Sequence, residues 1–284
     1  MLVQKFTPLP ILQPYIDGIL VQEDWNAVNF SNRNPVKVLP STMTIIGIQY
    51  GEPMKLLENQ KAVLMGSSGI TGIHAIVKEY IGTGAIGTVI LSFKPGGLSR
   101  FTRYPLHEFQ NVDVPLELVF PRQSVSEMEE KLAAASDAGE RVGIVQQFLL
   151  SALRDQKEEL LIQAAADVIL QRQGALSIER LAAQLYVSKR TLERRFSALI
   201  GASPKQFASV VRFQQTIRLR NAGCDYLDIV HACGYTDHAH LAKDFKSFAG
   251  VSPEQFFRSE VQPELKRSFQ GNEASSRPGD HLYY

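Results

Sequence analysis

Two stretches, Leu192–Phe207 (LERRFSALIGASPKQF) and Leu241–Phe256 (LAKDFKSFAGVSPEQF), decide how this chain folds. Set one above the other at a constant offset of 49 residues, they agree in order at Leu, Phe, Gly, Ser, Pro, Gln and Phe. Self-similarity at a fixed period marks a supersecondary unit built twice. Within each copy, Leu192 and Phe196, or Leu241 and Phe245, are four apart and share one helix face. Gly201 and Gly250 stand where a left-handed residue ends a helix. The following Ser-Pro opens the next helix: Ser203 and Ser252 suit the cap, and Pro204 and Pro253 suit the first helical position, where a missing N–H costs nothing.

The residues before each copy add a second helix. Ser177 can cap IERLAAQL, the break YVS follows, and Ser188 can cap KRTLERRFSALI. The small Ala182 and Ala183 let two helices cross closely, as a helix-turn-helix requires. In the second copy YLDIVHAC is followed by GYT, and Asp237 caps HAHLAKDFKSF. Gly234 supplies that turn. The first turn carries Tyr186 instead, at a cost of about 1 kcal/mol if the residue is left-handed.

Charge divides the chain. From Ser177 to Arg258 there are 12 Lys/Arg against 7 Asp/Glu, a surplus of five, while the remainder holds 18 against 22 and the total is only +1. A basic module of this kind suits a nucleic acid or another acidic surface.

The segment from about Glu158 to Arg258 resembles the DNA-binding domain of the AraC/XylS family of transcription regulators, most specifically in GYTDHAHLAKDFKSFAGVSPEQFFR. The resemblance implies two helix-turn-helix units joined by a long helix over about Pro204–Asn221, with two recognition helices entering successive major-groove segments. That linker, at 1.5 Å per residue, spans roughly 25 Å, enough to hold the units near the ~34 Å of one DNA turn once helix widths are added. It implies double-stranded DNA as partner, and RNA polymerase as well.

In the first recognition helix the core face is taken by Leu192, Phe196 and Leu199. The opposite face of its first two turns carries Lys189, Arg190, Glu193 and Arg194. By resemblance, Arg190, Glu193 and Arg194 fall at base-reading positions. Arg can bond guanine O6 and N7, and Glu can accept from cytosine N4. The matching positions in the second helix are His238, Ala239, His240 and Lys243, a less basic set in which Ala239 offers only a methyl contact. Thr191, Lys246 and the amides at the helix starts, beginning at Ser188, are candidates for phosphate. Asp244 would be repelled by phosphate if it faced the DNA.

From Leu39 to Phe93 the pattern changes to short apolar runs, TMTIIGIQY, KAVLMG, GIHAIVKEY and GTVILSF, separated by turn residues, which is the cadence of strands. Ser124–Ala134 and Ala138–Leu153 show helical spacing, with Val142, Val145, Leu149 and Leu153 near one face. The fold class expected is α+β: a strand-rich, sensor-like domain over residues 1–155, an all-α domain with two helix-turn-helix units over 156–260, and a polar tail over 261–284. FKPGGLSRFTRYPLHEFQN followed by VDVPLELVF resembles the amino-terminal domain of some members of that family. Trp25, Phe30, Tyr50, Tyr80, Phe93, Phe101 and Tyr104 could line an effector pocket or fill a core, and no ligand residue follows from sequence.

Other chemistries fit poorly. Gly82, Gly84 and Gly87 spell G-x-G-x-x-G, but TVILSF after them is a strand pattern, so a glycine-rich hairpin is expected rather than a dinucleotide turn. Cys233, His238 and His240 lack a fourth ligand at zinc spacing. Cys224 and Cys233 are too few for a disulfide scaffold, and His74 and His107 have no catalytic partner motif. With 44% hydrophobic and 21% charged residues, no signal-like start in MLVQKFTPLP and no apolar run of membrane length, the expectation is a cytoplasmic DNA-binding regulator. It is not expected to be an enzyme or to hold a cofactor or metal. Its activity is expected to be modulated through the amino-terminal domain by a small molecule or partner, with a homodimer among the expected assemblies; the alternatives are an enzyme with an appended DNA-binding module and a constitutive DNA binder without effector.

Overall fold

The computed structural model describes residues 2–25, 35–58, 61–155 and 159–258. Two compact units result. The first comprises residues 1–37, 43–72 and 78–158, and the second Val38–Thr42, Ile73–Val77 and the chain from Glu159.

Among the described residues there are ten strands in chain order, all in the first unit but for Val38 at the end of β3: β1 (Leu2–Phe6), β2 (Ile16–Asp24), β3 (Val36–Val38), β4 (Thr44–Gln49), β5 (Met54–Glu58), β6 (Lys61–Leu64), β7 (Ser68–Thr71), β8 (Lys78–Gly82), β9 (Ile86–Phe93) and β10 (Asp113–Pro115). They form a six-stranded sheet in the order β1-β2-β9-β4-β7-β10 and a four-stranded sheet in the order β3-β8-β5-β6. β9 pairs antiparallel with both β2 and β4, Leu20 facing Ile90 and Ile46 facing Leu91. Its unbroken apolar run is explained by burial on both faces: Val89, Ile90, Leu91 and Phe93 are all buried.

Two helices close that core, α1 (Arg122–Ala134) and α2 (Ala138–Ala152). Val125, Met128 and Leu132 of one, and Val142, Val145 and Leu149 of the other, join the same cluster as Ile19, Ile46 and Leu91. Asp137 caps α2 by accepting from the Glu140 amide, and Glu140 in return accepts from the Ser136 amide. The buried charges are paired. Arg141 lies 3.2 Å from Glu23 and stacks 4.2 Å above the Tyr50 ring, whose hydroxyl donates to Glu23.

The G-x-G-x-x-G segment corrects one expectation. No helix follows Gly87, but the segment is not a hairpin either, because β8 and β9 belong to different sheets. A side chain at Gly87 would strike the Tyr50 ring and one at Gly84 would strike Glu52. Of the aromatic set, Phe93 and Phe101 are core, Trp25 and Tyr104 are exposed, Tyr50 and Tyr80 are intermediate, and Phe30 lies outside the described residues. The polar tail over 261–284 lies outside them as well.

The second unit contains α3 (Leu160–Gln171), α4 (Ile178–Gln184), α5 (Lys189–Ile200), α6 (Pro204–Asn221), α7 (Tyr226–Ala232), α8 (His238–Ala249) and α9 (Pro253–Arg258). One core lies between α3, α4, α5 and the start of α6, where Phe196 and Phe207 meet edge to face at 5.5 Å. The duplicated core repeats that contact: Phe245 and Phe256, each 49 residues on, meet edge to face at 5.3 Å. Cys233 is fully buried beside Ile229, Val230 and Leu241, and burial pushes its thiol pKa up. Two short segments complete the unit. Leu39, Ala75 and Val77 pack with Val210, Phe213 and Ile217, the Gln214 amide donates to the Pro40 carbonyl at 3.2 Å, and Ile73 enters the first core.

Candidate nucleic-acid interface

Each recognition helix is fixed at both ends by its own sequence. Ser188 caps α5 by accepting from the Thr191 amide at 3.1 Å, and Asp237 caps α8 by accepting from the His240 amide at 2.7 Å. Both helices stop at a left-handed glycine, Gly201 and Gly250. Ser203 then caps α6 through the Gln206 amide, with Pro204 at the first position.

The helix before each recognition helix ends in one and the same way. The Tyr186 and Val187 amides bond the carbonyls of Ala183 and Ala182, and the Gly234 and Tyr235 amides bond those of His231 and Val230. Both turn residues are left-handed, Tyr186 at φ 54° and Gly234 at φ 67°.

Burying Leu192, Phe196 and Ile200 turns the other face of α5 outward. Arg190 and Arg194 are exposed and have no ion-pair partner among the described residues. Lys189 is different. Its ammonium bonds Glu179 of α4, which raises the Lys189 pKa and lowers that of Glu179 to about 2. Glu193 is intermediate in exposure, and the Ser188 and Thr191 hydroxyls are 2.9 Å apart, engaged with each other at the cap.

On α8 the core takes Leu241, Phe245 and Phe248. Ala239, Lys243 and Lys246 are exposed. The histidines are held locally: His238 lies 3.5 Å from Glu254 and edge-on to Tyr226, and His240 Nδ1 lies 2.8 Å from the Thr236 hydroxyl with its ring against Tyr235. Asp244 does not face outward freely. It lies 3.5 Å from Arg212 of α6. The structure therefore brings to one helix face Arg190, Glu193 and Arg194, and on the second helix Ala239, Lys243 and Lys246 are exposed with no side-chain partner among the described residues. Sequence reasoning missed two residues that shape these faces, Glu179 and Arg212, and named Tyr186 only as a turn residue. Neither Glu179 nor Arg212 carried a signal in the sequence, because their partners Lys189 and Asp244 lie on other helices.

Residues 181–259 match the family model described as a helix-turn-helix domain. The carboxy-terminal unit carries a helix-turn-helix domain of the AraC type. Among curated relatives of this AraC-type domain, an uncharacterized HTH-type transcriptional regulator of Haemophilus influenzae is 32% identical over 117 residues, 41% of this chain and 38% of that protein. A putative AraC-like transcription regulator of Streptomyces antibioticus is 33% identical over 95 residues, 32% of this chain and 31% of its own length. The chain thus spans well under half the length of the curated relatives it matches. Residues 4–115 match a domain of unknown function (DUF6597). Among solved structures, unsaturated fatty acid bound ToxT from Vibrio cholerae aligns at 11% identity with a TM-score of 0.42, over 84% of this chain and 93% of that one, a distant likeness.

Proposed function

We propose that this protein is a sequence-specific transcription regulator that grips duplex DNA with α5 and α8 in neighbouring major-groove segments. The observation that carries the reading is the pair of capped recognition helices, duplicated down to the Phe196–Phe207 and Phe245–Phe256 contacts, with Arg190 and Arg194 outward. Arg190, Glu193 and Arg194 read base edges through the bidentate and acceptor chemistry of the major groove. Lys246, Lys243 and the amides at the starts of α5 and α8 hold phosphate and set register. Ala239 contacts a thymine methyl. Lys189, His238 and His240 are occupied by local partners and contribute to the DNA face only on exchanging them.

The amino-terminal unit biases DNA affinity, through a small molecule or a protein partner that binds two conformations unequally. On that unit Phe6, Glu23, Trp25, Asp137 and Arg141 line an open surface groove of about 640 Å³. No described helix is long and apolar enough to cross a membrane; the site of action is the cytoplasm, the partners are DNA and RNA polymerase, and the protein acts by binding, not catalysis. Binding-site selection from random duplexes with purified protein, at stated salt because such affinity is strongly ionic, tests the reading. An enriched motif with two phased half-sites supports it, and a pool with no enriched motif refutes it.

A further inference from the structure

The two turns of the duplicated frame make matching hydrogen bonds with unlike residues. At Gly234 a side chain would be strained and crowded: φ is 67°, and a Cβ would stand 3.2 Å from that of Ala175. Tyr186 occupies the same left-handed conformation at φ 54°, which costs a non-glycine residue about 1 kcal/mol. Its side chain is 96% exposed and has no hydrogen bond, ion pair or ring contact among the described residues. No contact of the ring with a described residue offsets the strain. A large aromatic ring stands in solvent where glycine would be easier.

Its place decides what it meets. When a helix-turn-helix docks, the first helix crosses the sugar–phosphate backbone and the start of the recognition helix enters the groove. The turn that joins them passes over the rim between the two. Tyr186 lies on that turn, two residues ahead of the Ser188 cap and four ahead of Arg190. Tyrosine hydroxyls are among the groups that bond phosphate oxygens in protein–DNA contacts. We propose that Tyr186 is a DNA-backbone contact, its phenol O–H donating to a phosphate oxygen at the rim of the groove that α5 enters. The inference rests on the DNA-binding reading above. A phosphate contact fixes register without choosing a base, and a neutral phenol neutralises no phosphate, so it leaves the number of released counterions unchanged.

The test uses the full chain with Tyr186→Gly and Tyr186→Phe, titrated on the selected duplex and on a random duplex across a salt series, alongside thermal unfolding. Tyr186→Gly installs what the second turn already has, so it melts no lower than the parent. It weakens both duplexes alike, by roughly threefold to tenfold, the worth of one hydrogen bond, with the salt slope unchanged. Tyr186→Phe reproduces most of that loss. Parent-like binding by Tyr186→Gly overturns the contact, including the case in which only transcription changes, which would assign the ring to a protein partner. Parent-like binding by Tyr186→Phe overturns the role of the hydroxyl. If the parent protein selects no duplex, the DNA-binding reading falls and takes this contact with it; if it selects one that Tyr186→Gly binds equally well, this contact alone falls.

Discussion

Arg212 on the linker helix lies 3.5 Å from Asp244 on the second recognition helix, with both side chains about four-fifths buried. The same guanidinium donates to the Ser209 hydroxyl at 3.2 Å and sits 5.2 Å from the centre of the Tyr235 ring in the second turn. One side chain thus ties α6 to both the turn and the helix that follows it. An acidic residue that would be repelled by DNA is instead used inside the protein. Arg212→Ala should cost about 1–3 kcal/mol of stability, because it leaves the Asp244 carboxylate largely buried without its counter-charge. A double-mutant cycle with Asp244→Ala checks it: the double variant should lose less than the sum of the singles, and strict additivity would mean that the two do not interact.

The two kinds of outward cation should behave differently. Arg194→Ala is expected to cost about 1–3 kcal/mol on the selected duplex and to relax preference at one base position, while Lys246→Ala weakens all duplexes alike and lowers the salt slope by about one. Quantitative binding on selected and scrambled duplexes separates the outcomes. Equal loss on both for Arg194→Ala would remove it from the base-reading set.

In the proposed complex Lys189 is shared between Glu179 and the DNA. Glu179→Gln releases its ammonium, so DNA affinity should rise and the salt slope should steepen by about one phosphate's worth. The pH dependence has a definite sign. The hydrogen bond from Lys189 holds the Glu179 carboxyl at about 2, below its ordinary 4.5, so the pair is intact above 4.5 and is lost as pH falls through 4.5 toward 2. Titration of Glu179 followed by NMR should show that low midpoint in the parent, and Lys189→Ala should return it to the ordinary carboxylate range.

Leu39 is 4% exposed and packs with Val210, Phe213 and Ile217 of the helical unit. Leu39→Ala should therefore cost about 2–5 kcal/mol, the range for a large buried aliphatic side chain cut to Ala. Hydrogen exchange at the α6 amides is the appropriate readout. Faster exchange confined to the sheets and leaving α6 unaffected would contradict this packing.

The helical half was legible because its signals are local. Caps, helix stops and the four-residue spacing of Leu192 and Phe196 lie within one turn of each other, and duplication states each twice. The start of the linker helix at Ser203 and Pro204 follows from such signals, while its extent to Asn221 came from the family resemblance. The strand half was less legible. The cadence begins at Leu39, yet β1 and β2 precede it; β2 is interrupted by the irregularity between Ile16 and Gly18, and β1 has an exposed Leu2. Sheet membership is non-local, which is why the glycine-rich segment looks like a hairpin in sequence and bridges two sheets in space. The same limit applies at the DNA face. Position alone places Lys189, His238 and His240 among the free side chains, whereas Glu179, Glu254 and Thr236 hold them through contacts the helix period does not encode.

One chain is expected to grip two neighbouring major-groove segments. Methylation interference on the selected duplex, with guanine N7 as the probe, measures this directly. The account predicts two clusters of interfering guanines per bound chain, about one helical turn apart on one face of the duplex, with the cluster under α5 lost in Arg194→Ala. A single cluster per bound chain, or two on opposite faces, would contradict it.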